Sequence, residues 1–139
     1  MLNQTFIKER LESIQMYCRH LDEIVKAPAT ELKKDFTRYY ALERVFQLIV
    51  DEMVDVNSHI IRHGDFRTPD DFQSTFMIMA ENGILPEDFA KRIAPSVGLR
   101  NRLVHRYEEI DKDLVVKMIL KEKDDFKEYV KLIHDFLKK

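Results

Sequence analysis

From about residue 35 to residue 63, apolar side chains recur around more than half of a helical circumference. Phe36, Tyr39, Val45, Phe46, Ile49, Val50, Met53, Val54, Val56, Ile60 and Ile61 fill that arc. Only Arg44, Gln47, Asp51, Asp55, Ser58 and Arg62 make a polar stripe, which reads as the solvent face. A helix of this kind cannot rest on a surface by one edge. It is central to a bundle, or it touches both its own bundle and a second subunit. Thr30 or Asp35 opens it and Gly64 stops it. Asn57 projects inside the apolar arc, so its amide must find a partner, either a neighbouring backbone group or an active cleft. Asp55 and His59 are four apart and read as a solvated pair, because no third ligand follows at metal-site spacing.

The rest of the chain also has helical periodicity. With 3 Gly, 4 Pro and 35% charged residues, it carries few strand and turn signals and suits amphipathic helices. Phe6, Ile7, Leu11, Ile14, Tyr17, Leu21, Ile24 and Val25 predict a first helix from Thr5, its cap, to about Lys26, ended by Ala27-Pro28. Cys18 and His20 lie within it as core or surface residues rather than metal ligands. Thr68-Pro69-Asp70-Asp71 reads as a helix start, leading through Phe72, Phe76, Met77, Met79 and Ala80 to a stop at Asn82-Gly83. Pro86-Glu87-Asp88 opens a short helix to about Ile93, and Pro95 starts another that ends near Ile110. Asp111 or Lys112 begins the last helical region, Leu114 to Leu137, with a bend or break at residues 121–125, its least apolar part. The expected fold is an all-α, up-and-down bundle of about four to six helices, one domain over residues 1–139, associating as a dimer.

Composition excludes several classes. A net charge of −2 argues against a general nucleic-acid coat protein. A single cysteine cannot form an internal disulfide and points to a reducing compartment. No apolar run approaches a membrane span, and the N-terminus lacks a signal-peptide pattern, so a cytoplasmic protein without membrane contact is expected. Charge is unevenly distributed. Residues 91–107 hold five basic side chains (Lys91, Arg92, Arg100, Arg102 and Arg106) and no acidic one, whereas residues 51–81 hold seven acidic against two basic. That asymmetry reads either as an electrostatic basin for a phosphodiester or as solvated faces exchanging salt bridges.

The basic segment contains Gly98-Leu99-Arg100-Asn101-Arg102-Leu103-Val104-His105-Arg106-Tyr107. On an ideal wheel with Leu99 at zero, Ile110, Leu103 and Tyr107 fall at about 20°, 40° and 80°, an apolar seam. Arg100 lies beside the seam at about 100°, with Asn101 at about 200° and His105 at about 240°. Asn101 and His105, four apart, share one face. The polar groups start at the core's edge and turn away from it, as they would along a cleft.

Arg100, four residues, His105, one residue, Tyr107, with Asn101 directly after the arginine, resembles the signature of HEPN-domain proteins of the HepT type. These are ribonuclease toxins encoded beside a Mnt-type nucleotidyltransferase. The run Ala41-Leu42-Glu43-Arg44 leading to Val54-Asp55-Val56-Asn57-Ser58-His59-Ile60 also resembles the long central helix of that family. The resemblance implies a dimeric, metal-independent endoribonuclease without a cofactor, acting on RNA by 2′-hydroxyl attack and leaving a 2′,3′-cyclic phosphate. It further implies a cognate MntA-like nucleotidyltransferase antitoxin, which in some members adds AMP to the motif tyrosine, here Tyr107.

The residue chemistry agrees with that implication. Metal-free RNA cleavage needs a base for the 2′-hydroxyl proton, an acid for the leaving oxygen, and fixed positive charge. His105 can do acid–base work near neutral pH, and Arg100 offers a planar fork of donors for phosphate oxygens. Asn101 is placed to fix the histidine tautomer or hold the ribose phosphate, and Arg102 and Arg106 are the expected substrate-binding residues. No P-loop, Cys-x-x-Cys, nucleophile elbow or carboxylate metal cage competes. Two other functions fit the same residues: a non-catalytic substrate- or nucleotide-binding partner of a minimal nucleotidyltransferase, and a purely structural helical dimer.

Overall fold

A computed structural model describes residues 2–105 and 107–139, with Tyr107 described in its backbone alone. The elements are α1 (Gln4–Ile24), α2 (Ala29–Lys34), α3 (Phe36–His63), α4 (Ser74–Glu81), α5 (Glu87–Ile93), α6 (Pro95–His105), a 3-10 turn (Tyr107–Glu109) and α7 (Lys112–Leu137). No strand occurs among the described residues, so the all-α expectation holds. The contacts fix the directions. The Asn3 amide before α1 donates to His59 near the end of α3, and Arg10 lies beside Glu52, so α1 and α3 run antiparallel. Phe46 packs on Phe126, and Tyr129 reaches Met53, so α7 runs along α3. Ser96 meets Glu122 while Leu99 shares a pocket with Val115, which makes α6 antiparallel to α7.

Helix α3 is the centre. Tyr39, Leu42, Phe46, Ile49, Met53 and Val56 have no exposed surface, and α1, α2, α4 and α6 all pack on it. Each such side chain contributes about 1.5–3 kcal/mol of burial. The wide apolar arc is therefore covered within one chain and needs no second subunit, except at the first turns, where Phe36 and Tyr40 stand exposed. Asn57 is fully buried and satisfied by side chains. Its amide nitrogen donates to Thr75 Oγ1 at 3.0 Å, and its oxygen accepts from the Tyr129 hydroxyl at 2.6 Å. It stiffens the core and lines no cleft. His59 does not pair with Asp55, contrary to expectation. It turns into the α1 contact, accepts the Asn3 N–H at 3.1 Å and stacks on Phe6. Cys18 is a core residue whose thiol is pushed up to about 11, chiefly by burial.

Local signals account for most helix ends. Asn3, rather than Thr5, caps α1 by accepting the Phe6 N–H. Asp35 caps α3, after Thr30 has been absorbed into the short α2. Asp111 caps α7. Gly83, at φ 75°, supplies the left-handed residue that closes α4, and the Ile84 N–H reaches back to the Met79 carbonyl at 2.9 Å. Three expectations about helix extent also fail. The helix read as starting at Thr68-Pro69 begins at Ser74, because Asp71 and Ser74 cap one another (Ser74 N–H to Asp71 Oδ1, 2.7 Å) and leave Phe72 in a turn. Helix α6 is described to His105 and does not run to Ile110, because residues from Tyr107 to Glu109 form a 3-10 turn. Helix α7 is unbroken through residues 121–125, because Glu122 turns inward rather than toward solvent.

Glu122 accepts from the Ser96 hydroxyl at 3.3 Å. Its carboxyl is pushed up to about 7, first by burial and then by Asp125, against the pull of Ser96, Lys121 and Arg92. The ordinary value of 4.5 applies in the unfolded chain. Between those values the folded state holds the extra proton, so this group's contribution to stability is lost as pH rises through about 7. Glu122→Gln should therefore match the wild type in urea denaturation at pH 4.5 and exceed it by about 1–3 kcal/mol at pH 8. A wild type that gains stability over the variant as pH rises would contradict the assignment.

Candidate active site

Helix α6 carries the motif and is held by its own buried face. Ser96, Val97, Leu99 and Leu103 are buried, and the helix packs on α3. This leaves Arg100 at the edge of the contact, as the wheel predicts, with its side chain 23% exposed. Its Nε donates to Asp51 Oδ1 at 2.8 Å and its Nη1 to Asn101 Oδ1 at 3.3 Å. The guanidinium is thus held by two acceptors, and no hydrogen bond from Nη2 is formed among the described residues. The pair lines an open cleft of about 330 Å³ between α3 and α6, walled by Val50, Asp51, Val54 and Asp55 on one side and Val97, Arg100 and Asn101 on the other. The exposed Phe72 also lines it. The Asp55 carboxyl is raised above its usual range by burial, against the pull of Arg10, with the Asp51 charge adding to the rise.

Asp51 is the residue that sequence reasoning missed. The helical period puts it on a solvent stripe, yet it is the ion-pair partner of Arg100. The available signal was a polar stripe with two carboxylates four apart; which helix would lie along it is a tertiary matter. Asn101 also differs from expectation, since it engages Arg100 and not His105.

His105 is exposed on the last turn of α6, and among the described residues it makes no hydrogen bond or ion pair with Arg100 or Asn101. Five residues of helix separate it from Arg100 by about 7.5 Å along the axis and about 140° around it. Arg102 points elsewhere, lining a smaller pocket of about 140 Å³ with Glu109, Asp111 and Leu114. Arg106 and the Tyr107 side chain lie outside the described residues. The Tyr107 backbone begins the 3-10 turn, so the helical wheel does not extend to it. The basic run is partly neutralised. Lys91 pairs with Glu87, and Arg92 with Asp125 and Glu128. For those two the salt-bridge interpretation holds and the electrostatic basin shrinks to the motif itself. Among the described residues no three His, Cys, Asp or Glu side chains converge as a metal site.

The family model described as Ribonuclease HepT-like matches residues 14–133, nearly the whole bundle. The chain belongs to the HepT-like ribonuclease family. It is 34% identical over 139 residues to a tRNA nuclease HepT of Aphanizomenon flos-aquae, covering 98% of this chain and 92% of that protein. It is 24% identical to an mRNA nuclease HepT of Shewanella oneidensis, covering 91% and 95% respectively. Among solved structures, the tri-AMPylated HEPN toxin of Shewanella oneidensis in complex with an MNT antitoxin superposes with a TM-score of 0.85 at 23% identity, covering 94% of this chain and 97% of that one. The HEPN toxins of this family share the bundle described above.

Asp51 and Arg100 are both partly solvated, so their pair orients a side chain more than it stabilises the fold. Asp51→Ala should cost no more than about 1 kcal/mol in thermal or urea unfolding. The same substitution should broaden the Arg100 Nε–H resonance and speed its exchange with water. A loss of several kcal/mol would mark the pair as structural instead.

Proposed function

We propose that this chain is an endoribonuclease toxin that cleaves RNA without a metal, by attack of a ribose 2′-hydroxyl on the adjacent phosphorus, and that a cognate MntA-like nucleotidyltransferase antitoxin neutralises it. Family membership and near-complete alignment with HepT nucleases support the ribonuclease activity and its control by an antitoxin. The observation that carries the chemistry is Arg100, fixed by Asp51 and Asn101 at the rim of an open cleft. A preoriented guanidinium loses little freedom when it takes up a phosphate oxygen, and its charge opposes the negative charge that builds on the phosphorane. Asn101 steadies that fork from the next position of the helix. His105 exchanges protons with the reacting oxygens. The 2′-oxygen gives up its proton, bonds to phosphorus, and the 5′-oxygen departs with a proton, leaving a 2′,3′-cyclic phosphate. Arg102 and Arg106 hold flanking phosphates.

The separation of Arg100 from His105 within one chain supports a homodimer in which two motifs face each other. One copy supplies one histidine, whereas the reaction needs a base and an acid. Exposed apolar side chains gather at the end of the bundle where α6 finishes: Phe36 and Tyr40 on α3, Val104 on α6 and Leu114 on α7. Lys112 lies over the Tyr39 ring and Lys33 pairs with Asp113, so the starts of α3 and α7 share that end. The antitoxin is proposed to add AMP to the Tyr107 hydroxyl. The new phosphate pairs with Arg100 or Arg106 and occupies the substrate phosphate's place without unfolding the chain. The proposed setting is the cytoplasm; no described helix is long and apolar enough to cross a membrane.

Arg100→Ala and His105→Ala should each abolish RNA cleavage and growth inhibition with the helical circular dichroism unchanged, and EDTA should not inhibit. Sedimentation should give a dimer at micromolar concentration. Mixing the two inactive variants should restore part of the activity if the site spans two copies. Cleavage by His105→Ala at the wild-type rate would remove the acid–base assignment and favour a non-catalytic partner of the nucleotidyltransferase. On co-expression with that partner, mass spectrometry should find AMP on the wild type and none on Tyr107→Phe.

A further inference from the structure

Phe72 is an exposed aromatic with an anchored backbone. The residue is 61% exposed and lines the α3–α6 cleft. Its carbonyl, however, accepts from the Thr75 hydroxyl at 2.6 Å. Thr75 Oγ1 in turn accepts from Asn57, whose oxygen accepts a hydrogen bond from the Tyr129 hydroxyl. The chain of hydrogen bonds runs from the fully buried centre of the bundle to the one turn that presents this ring. An apolar ring left in water loses the burial free energy that a core position would give, and here a rigid support holds it there.

Asp55 lines the same cleft and makes no hydrogen bond or ion pair among the described residues. Its neighbour Asp51 is occupied by Arg100. The cleft thus offers a π-face, an open pair of acceptor oxygens, and at its rim the guanidinium assigned to phosphate. At about 330 Å³ it is at the small end of ligand clefts, suited to one planar group rather than a duplex.

Building on the ribonuclease reading, we infer that this cleft is a nucleobase pocket: Phe72 stacks the base next to the phosphate held by Arg100, and Asp55 accepts hydrogen bonds from that base's amino edge. Stacking is indifferent to sequence, because every base has a π-face. The carboxylate supplies the discrimination. It accepts from the exocyclic amines of cytosine and adenine, whereas uracil offers it a single ring N3–H flanked by two carbonyl oxygens that repel it. The enzyme therefore disfavours uracil at the position beside the cut.

The test uses the full-length His105→Ala protein and labelled single-stranded oligo(A), oligo(C) and oligo(U), read by fluorescence anisotropy. Oligo(A) and oligo(C) should bind more tightly than oligo(U). Adding Phe72→Ala should weaken binding of each by about tenfold, and Phe72→Tyr should restore it. Adding Asp55→Asn should erase the ranking, because an amide can also donate to uracil. Unchanged binding by Phe72→Ala, or a ranking that survives Asp55→Asn, would overturn the pocket. So would a Phe72→Ala protein that sediments as a monomer where the parent is a dimer, since the ring would then be a contact between copies. Cleavage assays on the protein that retains His105 separate the two levels. Cleavage together with unaffected Phe72→Ala binding overturns the pocket alone, whereas absence of cleavage removes the ribonuclease reading.

Discussion

The enclosure of α3 sets the position of everything else. A helix that buries Tyr39, Phe46, Ile49, Met53 and Val56 completely must be covered on nearly every side. The strip still open to a charged contact is the one bearing Asp51 and Asp55. Helix α6 lies along it with Val97 and Leu99 packed inward, and Arg100 meets Asp51 at the edge. The orientation of Arg100 is thus a by-product of core packing. Because α6 must bury one face, its arginine is delivered half-buried and oriented, and its histidine is delivered to solvent.

Polar groups in the interior set the finer positions. Asn57, Tyr129 and Thr75 form a satisfied network that ties α3, α7 and the start of α4 together. The network positions a turn at the cleft that propensity alone would have made helical. Glu122 does the corresponding work at the other end of the motif helix, where it meets Ser96. A buried carboxyl held near neutrality by desolvation makes that junction respond to pH, and the ion pairs of Arg92 with Asp125 and Glu128 flank it.

Period and capping chemistry made much of this legible in advance. The 3.6-residue recurrence of Ile7, Leu11, Ile14 and Leu21, and of Phe126, Tyr129, Val130 and Ile133, maps directly onto buried faces of α1 and α7. Asp35, Asp111 and Gly83 mark real ends because caps act within one turn of chain. The failures are places where distant groups decide. Thr68-Pro69 is a strong local start, yet Arg67 is drawn to Glu81 by a two-point ion pair and the helix begins after Asp71. Residues 121–125 look like a break because a charged run is assumed to be solvated, and a raised carboxyl pKa cannot be read from a periodicity. In the motif, the place of Arg100 at the seam's edge was readable, but Asp51 as its partner was not. The wheel angle of Tyr107 has no meaning in the structure, because Tyr107 begins a 3-10 turn.

We propose that fixed guanidinium and exposed imidazole groups of facing α6 motifs cleave RNA through its own 2′-hydroxyl. The most direct measurement is the identity of the ends produced from a defined RNA, read by mass spectrometry, beside the same oligonucleotide carrying 2′-deoxy sugars throughout. The account predicts 2′,3′-cyclic phosphate and 5′-hydroxyl ends from the RNA and no cleavage of the deoxy strand. Ends bearing 3′-hydroxyl and 5′-phosphate, or cutting of the deoxy strand, would contradict it.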